Sequence, residues 1–101
     1  MNIYLISHNG SGDGICGEYV DAVVFAENEE QARNIHPHSY YLPKNIIWDE
    51  VTKKWIGPNM KGEIQQYFEW VMPNQVIVKL LGVTTEDISP RCVSANYDRY
   101  E

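Results

Sequence analysis

Residues 19–37 read YVDAVVFAENEEQARNIHP, and the change of pattern within them decides the predicted fold. The first eight residues are mostly β-branched or aromatic, which is typical of a strand. Asn28 can then cap a helix, with Gln31 at the capping-box position three residues later. Pro37 cannot continue a helix, so we expect it to end near His36 after about two turns. So short a helix must be stabilised by packing on a sheet, which indicates an α+β domain.

Three other segments are predicted to be strands. Residues 2–7 (NIYLIS) form a run of β-branched, aromatic and aliphatic side chains, predicted to be buried on both faces. Residues 76–82 alternate in a way typical of a strand that ends at Gly82, and residues 92–97 form a last short strand after the Ser89-Pro90 break.

The middle of the chain is predicted to hold a hairpin and a second helix. The polar stretch DEVTKK separates two apolar runs within residues 46–56, which indicates a hairpin with Trp48 and Trp55 near one another across the strands. Residues 57–59 (GPN) are expected to break the chain. The apolar spacing in residues 60–70 predicts a helix.

These elements predict one α+β domain spanning residues 1–101. The chain has 44% hydrophobic and 22% charged residues, the proportions of a globular protein that can bury a core. The expected architecture is a mainly antiparallel sheet of about four to six strands, with one or two short helices packed on one face.

The charge balance limits the classes of partner. Eight Lys and Arg against fourteen Asp and Glu give a net charge of −6, and the basic residues do not cluster, so direct nucleic-acid binding is not expected. No run of eighteen apolar residues and no signal-peptide pattern is present, so we expect no membrane association and a cytoplasmic location. In that compartment Cys16 and Cys92 are expected to be reduced.

A glycine-rich stretch carries the first candidate binding site. Residues 10–17 read GSGDGICG, with three glycines at the G-x-G-x-x-G spacing. The helix that a dinucleotide site requires is missing, because a β-rich run follows, and this favours a loop between two strands. Backbone amides around Gly12 and Gly14 can still form an anion nest or a flap over a ligand, and His8 and Asn9 add polar groups at its base.

Metal binding and catalysis receive little support. The His36-Pro37-His38 stretch has no C-x-x-C or H-x-x-x-H partner spacing, which favours surface histidines at a helix end. No nucleophile motif such as G-x-S-x-G is present. We therefore expect no cofactor, no metal and no enzymatic activity.

Aromatic residues are numerous for so short a chain. Seven Tyr and three Trp exceed what a small core readily buries with every polar tip satisfied. Some rings, including Tyr40, Tyr41 and Trp48, are therefore expected to line a pocket or an interface, where they can stack on bases or anchor a protein contact.

Four segments together carry a resemblance: YLISHNG, DAVVFAENEEQARNIHP, EWVMPNQVIVKLLGVT and CVSANYD. In this order the chain resembles a group of small bacteriophage and prophage proteins. Residues 38–69 have no counterpart in the pattern, and the glycine run replaces the tyrosine and aspartate expected in the first loop. The resemblance implies a phage accessory protein of compact α+β fold, acting in the bacterial host cytoplasm, and implies no site residue.

Small phage proteins of this kind commonly act against host defences by binding, and of three open functions we expect the first. The first is a homo-oligomer that sequesters a nucleotide immune signal, with rings on bases and cations such as Lys79 on phosphates. The second is an inhibitor that blocks a host defence enzyme or CRISPR effector through an acidic and aromatic surface. The third is an interaction domain without a defence role. The expected ligand-binding residues are His8, Asn9, Gly12, Gly14, Tyr40, Tyr41, Trp48, Arg91 and Arg99.

Overall fold

The computed structural model describes residues 1–8, 18–40, 46–67, 70–85 and 90–98. Within these ranges the chain forms seven strands, one α-helix and two 3₁₀ turns. The strands are β1 (Asn2–Ser7), β2 (Glu18–Ala26), β3 (Ile47–Asp49), β4 (Lys54–Pro58), β5 (Ile64–Tyr67), β6 (Ile77–Val83) and β7 (Arg91–Asp98). The helix α1 is Glu29–Arg33, and the 3₁₀ turns are Pro37–Tyr40 and Pro73–Gln75.

The strands form two antiparallel sheets, which confirms the predicted α+β class. The four-stranded sheet has the order β6-β1-β2-β7, and the three-stranded sheet has the order β3-β4-β5. Every recorded strand pair is antiparallel. The described residues thus hold one strand more than the predicted upper limit of six, because part of the predicted second helix is a strand.

The helix predicted over residues 60–70 is wrong, since β5 lies within this range and pairs with β4. The Asn59 side chain accepts hydrogen bonds from the backbone N–H of Lys61 and Glu63. Gly62 follows with a φ of 84°, a conformation that glycine adopts without strain. Asn59 and Gly62 therefore form a tight turn that sends the chain back along β4 as a strand.

The hairpin predicted over residues 46–56 is confirmed, with Trp48 directly opposite Trp55. The Asp49 carboxylate stabilises the turn, because it accepts hydrogen bonds from the Val51 backbone N–H and the Thr52 hydroxyl. These two hydrogen bonds lower the pKa of Asp49, with the Thr52 contribution the larger.

The first helix is confirmed, and its end is corrected. Asn28 caps α1 by accepting a hydrogen bond from the Gln31 backbone N–H, and the Gln31 side chain reaches back to the Glu27 N–H. The helix ends at Arg33, three residues before the predicted end, because the Asn34 N–H bonds to the carbonyl of Gln31 in a tighter turn.

The hydrophobic core lies on one face of the four-stranded sheet. Its members come from both sheets, from α1 and from the segments that join them. They are Tyr4, Ile6, Tyr19, Ala22, Val24, Ala26, Ala32, Ile46, Trp55, Tyr67, Trp70, Val76 and Cys92. The expectation that β1 is buried on both faces is wrong, since Ile3 and Leu5 are only partly buried.

An irregularity in β2 brings one more aromatic ring into this core. The pairing of β2 with β7 shifts register between Tyr19 and Asp21, so Val20 is an extra residue there. Tyr19 and Ala22 are consequently both buried although they are three residues apart, whereas Val20 is exposed. The bulge thereby places the Tyr19 ring beside the histidines of the 36–38 segment.

Candidate functional site

The second face of the four-stranded sheet carries four apolar side chains at its centre. Side chains alternate along a strand, so Ile3 and Leu5 point away from the core face that holds Tyr4. The register sets Phe25 directly opposite Ile3 and Val23 directly opposite Leu5. Directly opposite residues share a face, so these four form one patch, which we call the open face.

No described element packs on the open face. The buried residues of α1, β4 and β5 (Ala32, Trp55 and Tyr67) belong to the same core cluster as Tyr4, on the opposite side of the sheet. None of the fully buried hydrophobic residues belongs to the open face. Within the described ranges, the sheet is therefore covered on one side only.

Polar and charged residues surround the open face at its edges. On β7, Arg91 lies opposite Phe25 and Ser94 lies opposite Val23. On β6, Lys79 lies opposite Leu5. The positions of Arg91 and Lys79 are separated by three strand spacings and by two residues along the strand, about 16 Å in all. An apolar centre with a polar rim is the anatomy of a protein interface.

The structure separates the residues predicted to bind a ligand. His8 follows the end of β1, whereas Arg91 pairs with Phe25 near the opposite end of the sheet, about five residues or 17 Å along the strand direction. Trp48 lies on β3, where its indole N–H donates to Glu50 at 2.7 Å, and Tyr40 ends the first 3₁₀ turn. The remaining predicted residues lie outside the described ranges: Asn9, Gly12, Gly14, Tyr41 and Arg99.

A histidine cluster lies at the centre of the core, formed by Tyr19, His36, His38, Trp55 and Tyr67. The His36 ring is fully buried, with its centroid 5.2 Å from that of Trp55, 6.0 Å from Tyr67 and 6.2 Å from Tyr19. The prediction of surface histidines is therefore wrong for His36. The described part of the chain contains no group of three or more residues that could hold a metal ion.

The hydrogen bonds of the cluster define the state of His36. Its Nδ1 accepts from the His38 backbone N–H at 3.0 Å, so Nε2 carries the proton of the neutral ring. That Nε2 is buried with no hydrogen-bond partner among the described residues. Burial, with a smaller contribution from the charge of His38, lowers the pKa of His36 to about 3. The ring is therefore neutral at physiological pH.

Tyr19 connects the cluster to the end of β1. Its hydroxyl lies 2.8 Å from Nδ1 of His38, and its carbonyl accepts from Nε2 of His8 at 2.9 Å. The His8 ring also meets Trp70 edge-on at 5.3 Å. His8, which was predicted to contact a ligand, is thus part of the hydrogen-bonded packing around the core.

Most of the described aromatic side chains lie inside the protein. Tyr4, Tyr19, Trp55, Tyr67 and Trp70 are buried. Phe25 and Trp48 are only partly buried, and Phe25 is the one that lies on the open face. The sequence pattern does not predict the open face, because it predicts that β1 is buried on both faces. The unbroken apolar run of residues 2–7 is compatible with either situation.

Comparison of the chain with protein-family models, with curated proteins and with solved structures finds no match. The described part of the chain also has no helix of the length and apolarity needed to cross a membrane.

Cys92 is expected to react slowly with thiol reagents. Burial raises the pKa of its thiol from 9.0 to about 11, so the thiolate fraction near pH 7.5 falls about 100-fold. In a Cys16→Ser variant, iodoacetamide should modify the folded protein at least about 100-fold more slowly than the urea-unfolded protein. Equal rates for the folded and unfolded protein would contradict the burial of Cys92.

Proposed function

We propose that this protein is a bacteriophage accessory protein that counteracts host antiviral defence by binding a host protein through the open face. The observation that supports this is the patch of Ile3, Leu5, Val23 and Phe25, which no described element covers. Soluble monomers rarely keep a contiguous apolar patch of this kind unless it takes part in an interaction. The phage origin and the defence role come from the sequence resemblance.

The charges around the open face define the partner. The chain carries a net charge of −6, but the edges of this face present Lys79 and Arg91. A complementary host surface has an apolar centre flanked by carboxylates about 16 Å apart. The proposed contact is thus an apolar patch with one basic residue at each lateral edge, and Asp21, opposite Ser7, lies at one end of the same face. It differs from the acidic and aromatic surface expected from composition.

Sequestration of a nucleotide signal is the second candidate, and one pair of residues favours it. Arg91 lies directly opposite Phe25, so an aromatic ring that can stack on a base stands beside a guanidinium that can bind a phosphate. Lys79, at the other edge of the sheet, is too far away to contact the same phosphate. A single chain therefore provides fewer cations around one ligand than this function predicts.

A plaque assay tests the proposed function. The protein is expressed in bacterial strains that each carry one defence system, and the plating efficiency of a sensitive phage is measured. We expect wild type to restore plaques against one system, and a Leu5→Lys/Val23→Lys double variant to lose at least about tenfold of that effect, because two charges are placed at the apolar centre. Failure of wild type against every system would contradict a defence role.

A matched double variant controls for the added charge. Val51 and Met60 are 92% and 94% exposed in turns away from the open face, so Val51→Lys/Met60→Lys should keep full activity. Circular dichroism of both double variants checks that they are folded. Native mass spectrometry separates the two candidates, because a bound nucleotide that the Arg91→Gln variant loses would support sequestration, whereas a host protein bound to wild type with no nucleotide would support the protein contact.

A further inference from the structure

We infer that two copies of this chain form a homodimer by pairing their β6 strands antiparallel, which joins the two four-stranded sheets into one eight-stranded sheet. This inference goes beyond the proposed function, because it concerns the edge of the sheet and not the apolar centre of the open face, although Lys79 belongs to both surfaces. Its basis is the composition of the β6 edge, defined as residues Ile77–Val83.

The β6 edge has one lysine and one bulge, features that protect edge strands, but it also exposes a long apolar row. It pairs only with β1 among the described strands, so its other side presents unpaired backbone N–H and C=O groups. Four of its seven residues are exposed large apolar side chains: Ile77, Leu80, Leu81 and Val83. Its one charged residue is Lys79, and it contains no proline. An exposed apolar edge of this length is a template for pairing with another strand.

The other sheet edges of the described chain do not share this composition. The β7 edge is long, but its exposed residues include Arg91, Ser94 and Asn96. The β3 edge is only three residues long, and the four-residue β5 exposes Gln65 beside Ile64. Length and apolar exposure therefore coincide only at β6 within the described ranges.

An irregularity in β6 explains why two consecutive leucines are exposed. The pairing of β1 with β6 skips Leu81, because Tyr4 lies opposite Leu80 and Ile3 lies opposite Gly82. Leu80 and Leu81 are 55% and 51% exposed. Both side chains are thus exposed at the edge strand, where they can contact side chains of a strand paired beside it.

The backbone geometry favours a second copy of the chain as the partner, because an antiparallel edge strand is complementary to itself about a two-fold axis, and the composition of the β6 edge permits it. Each copy has a net charge of −6, so two copies repel unless the contact lacks acidic residues. The β6 edge contains none. If Leu80 lies on the two-fold axis, Lys79 stands opposite Leu81 of the partner subunit and not opposite the same lysine. Its methylene groups can then cover that leucine while the ammonium group stays in water.

The symmetry of this contact closes the assembly and doubles the open face. Antiparallel pairing about a two-fold axis uses the β6 edge of both copies and leaves the polar β7 edges outermost, so no fibre grows. An axis perpendicular to the sheet keeps both open faces on the same side. The dimer thus presents two open faces side by side, which would increase avidity for a partner with repeated sites.

Sedimentation equilibrium of the purified full chain tests the dimer. We expect a concentration-dependent mass that approaches twice 11.7 kDa. A Leu80→Lys/Leu81→Lys variant should raise the dissociation constant of the dimer by about 100-fold or more. The Val51→Lys/Met60→Lys variant should change it by less than about twofold. A wild-type monomer at millimolar protein, or a dimer that the β6 variant leaves intact, would overturn the inference.

Disulfide cross-linking tests the register without relying on destabilising variants. Directly opposite Cα atoms in an antiparallel pair lie about 4.5–5.5 Å apart, within the range that a disulfide spans. In a Cys16→Ser background, Leu80→Cys should give a covalent dimer under mild oxidation, whereas Met60→Cys should not. Equal cross-linking of the two variants would refute the predicted register. Because neither substitution alters the open face, failure here leaves the plaque assay result unaffected.

Discussion

Replacing Trp55 with alanine should lower the free energy of unfolding by about 3–5 kcal/mol, the usual cost of removing a large buried aromatic side chain. Trp55 is 2% exposed, and its ring contacts those of His36 and Trp48. Its indole N–H also donates to the Val71 carbonyl at 2.9 Å, so the alanine variant leaves that partly buried oxygen without its partner. Urea unfolding followed by circular dichroism measures the change.

Two further variants separate the contributions of Trp55. Trp55→Phe keeps an aromatic ring but removes the indole N–H, so it should cost about 1–3 kcal/mol less than the alanine variant. Trp48→Ala removes the cross-strand partner, which is only partly buried and bonds to the exposed Glu50, so it should cost less than Trp55→Ala. Equal losses for Trp48→Ala and Trp55→Ala would mean that the hairpin does not pack on the core as described.

The protein should lose stability as the pH falls from 6.5 towards 3, because of His36. The pKa of His36 is 6.5 in an unperturbed chain and about 3 in the folded protein. Between these values the unfolded chain binds a proton that the folded protein does not, so protonation favours unfolding. One pKa unit is worth about 1.4 kcal/mol, which predicts a loss of about 2 kcal/mol between pH 7 and pH 5.

Urea unfolding at pH 7 and pH 5 measures this loss, and substitution of His36 identifies its source. A His36→Phe variant should show little change over the same interval, since it has no ring nitrogen to protonate. His8→Gln should retain most of the loss, because it leaves the buried His36 ring in place. An unchanged loss in His36→Phe would show that another group titrates on unfolding.

Trp55 and His36 belong to the same cluster, and the contribution of the buried histidine to its packing depends on pH. At neutral pH the His36 ring packs as one more aromatic group against Trp55 and Tyr67. Its Nε2 proton has no partner among the described residues, which is unfavourable for a buried polar group. In acid the same position would hold a charge within the core. The cluster is thus a strong packing site only while His36 stays neutral.

Local patterns were sufficient to locate most of the regular structure. The strands β1, β2, β6 and β7 lie where β-branched and aromatic runs predict them, and the capping of α1 by Asn28 is confirmed. The hairpin that pairs Trp48 with Trp55 is also confirmed. These features depend on a cap, a turn or an alternation of side chains, all of which involve residues close together in the chain. Such local features can be predicted from the sequence.

The helix predicted over residues 60–70 failed because its pattern is ambiguous. Apolar residues at positions 64, 68 and 71 fit one face of a helix, but Ile64 and Tyr67 are also typical strand residues. Pairing with β4 decides in favour of the strand, because it provides backbone hydrogen bonds between the two strands. A helix of this length is only marginally stable by itself.

The amino-acid sequence by itself determined the α+β class, the positions of the four strands of the larger sheet and the hairpin, because these follow from local periodicity and turn chemistry. Only the tertiary structure decided that His36 is fully buried, that one face of the four-stranded sheet is open and that β6 is an exposed apolar edge. Burial depends on which distant segments pack against a residue. The apolar strands β1, β2 and β6 would have a similar composition whether other elements packed on one face of their sheet or on both. The sequence therefore could not distinguish a core face from an interaction surface.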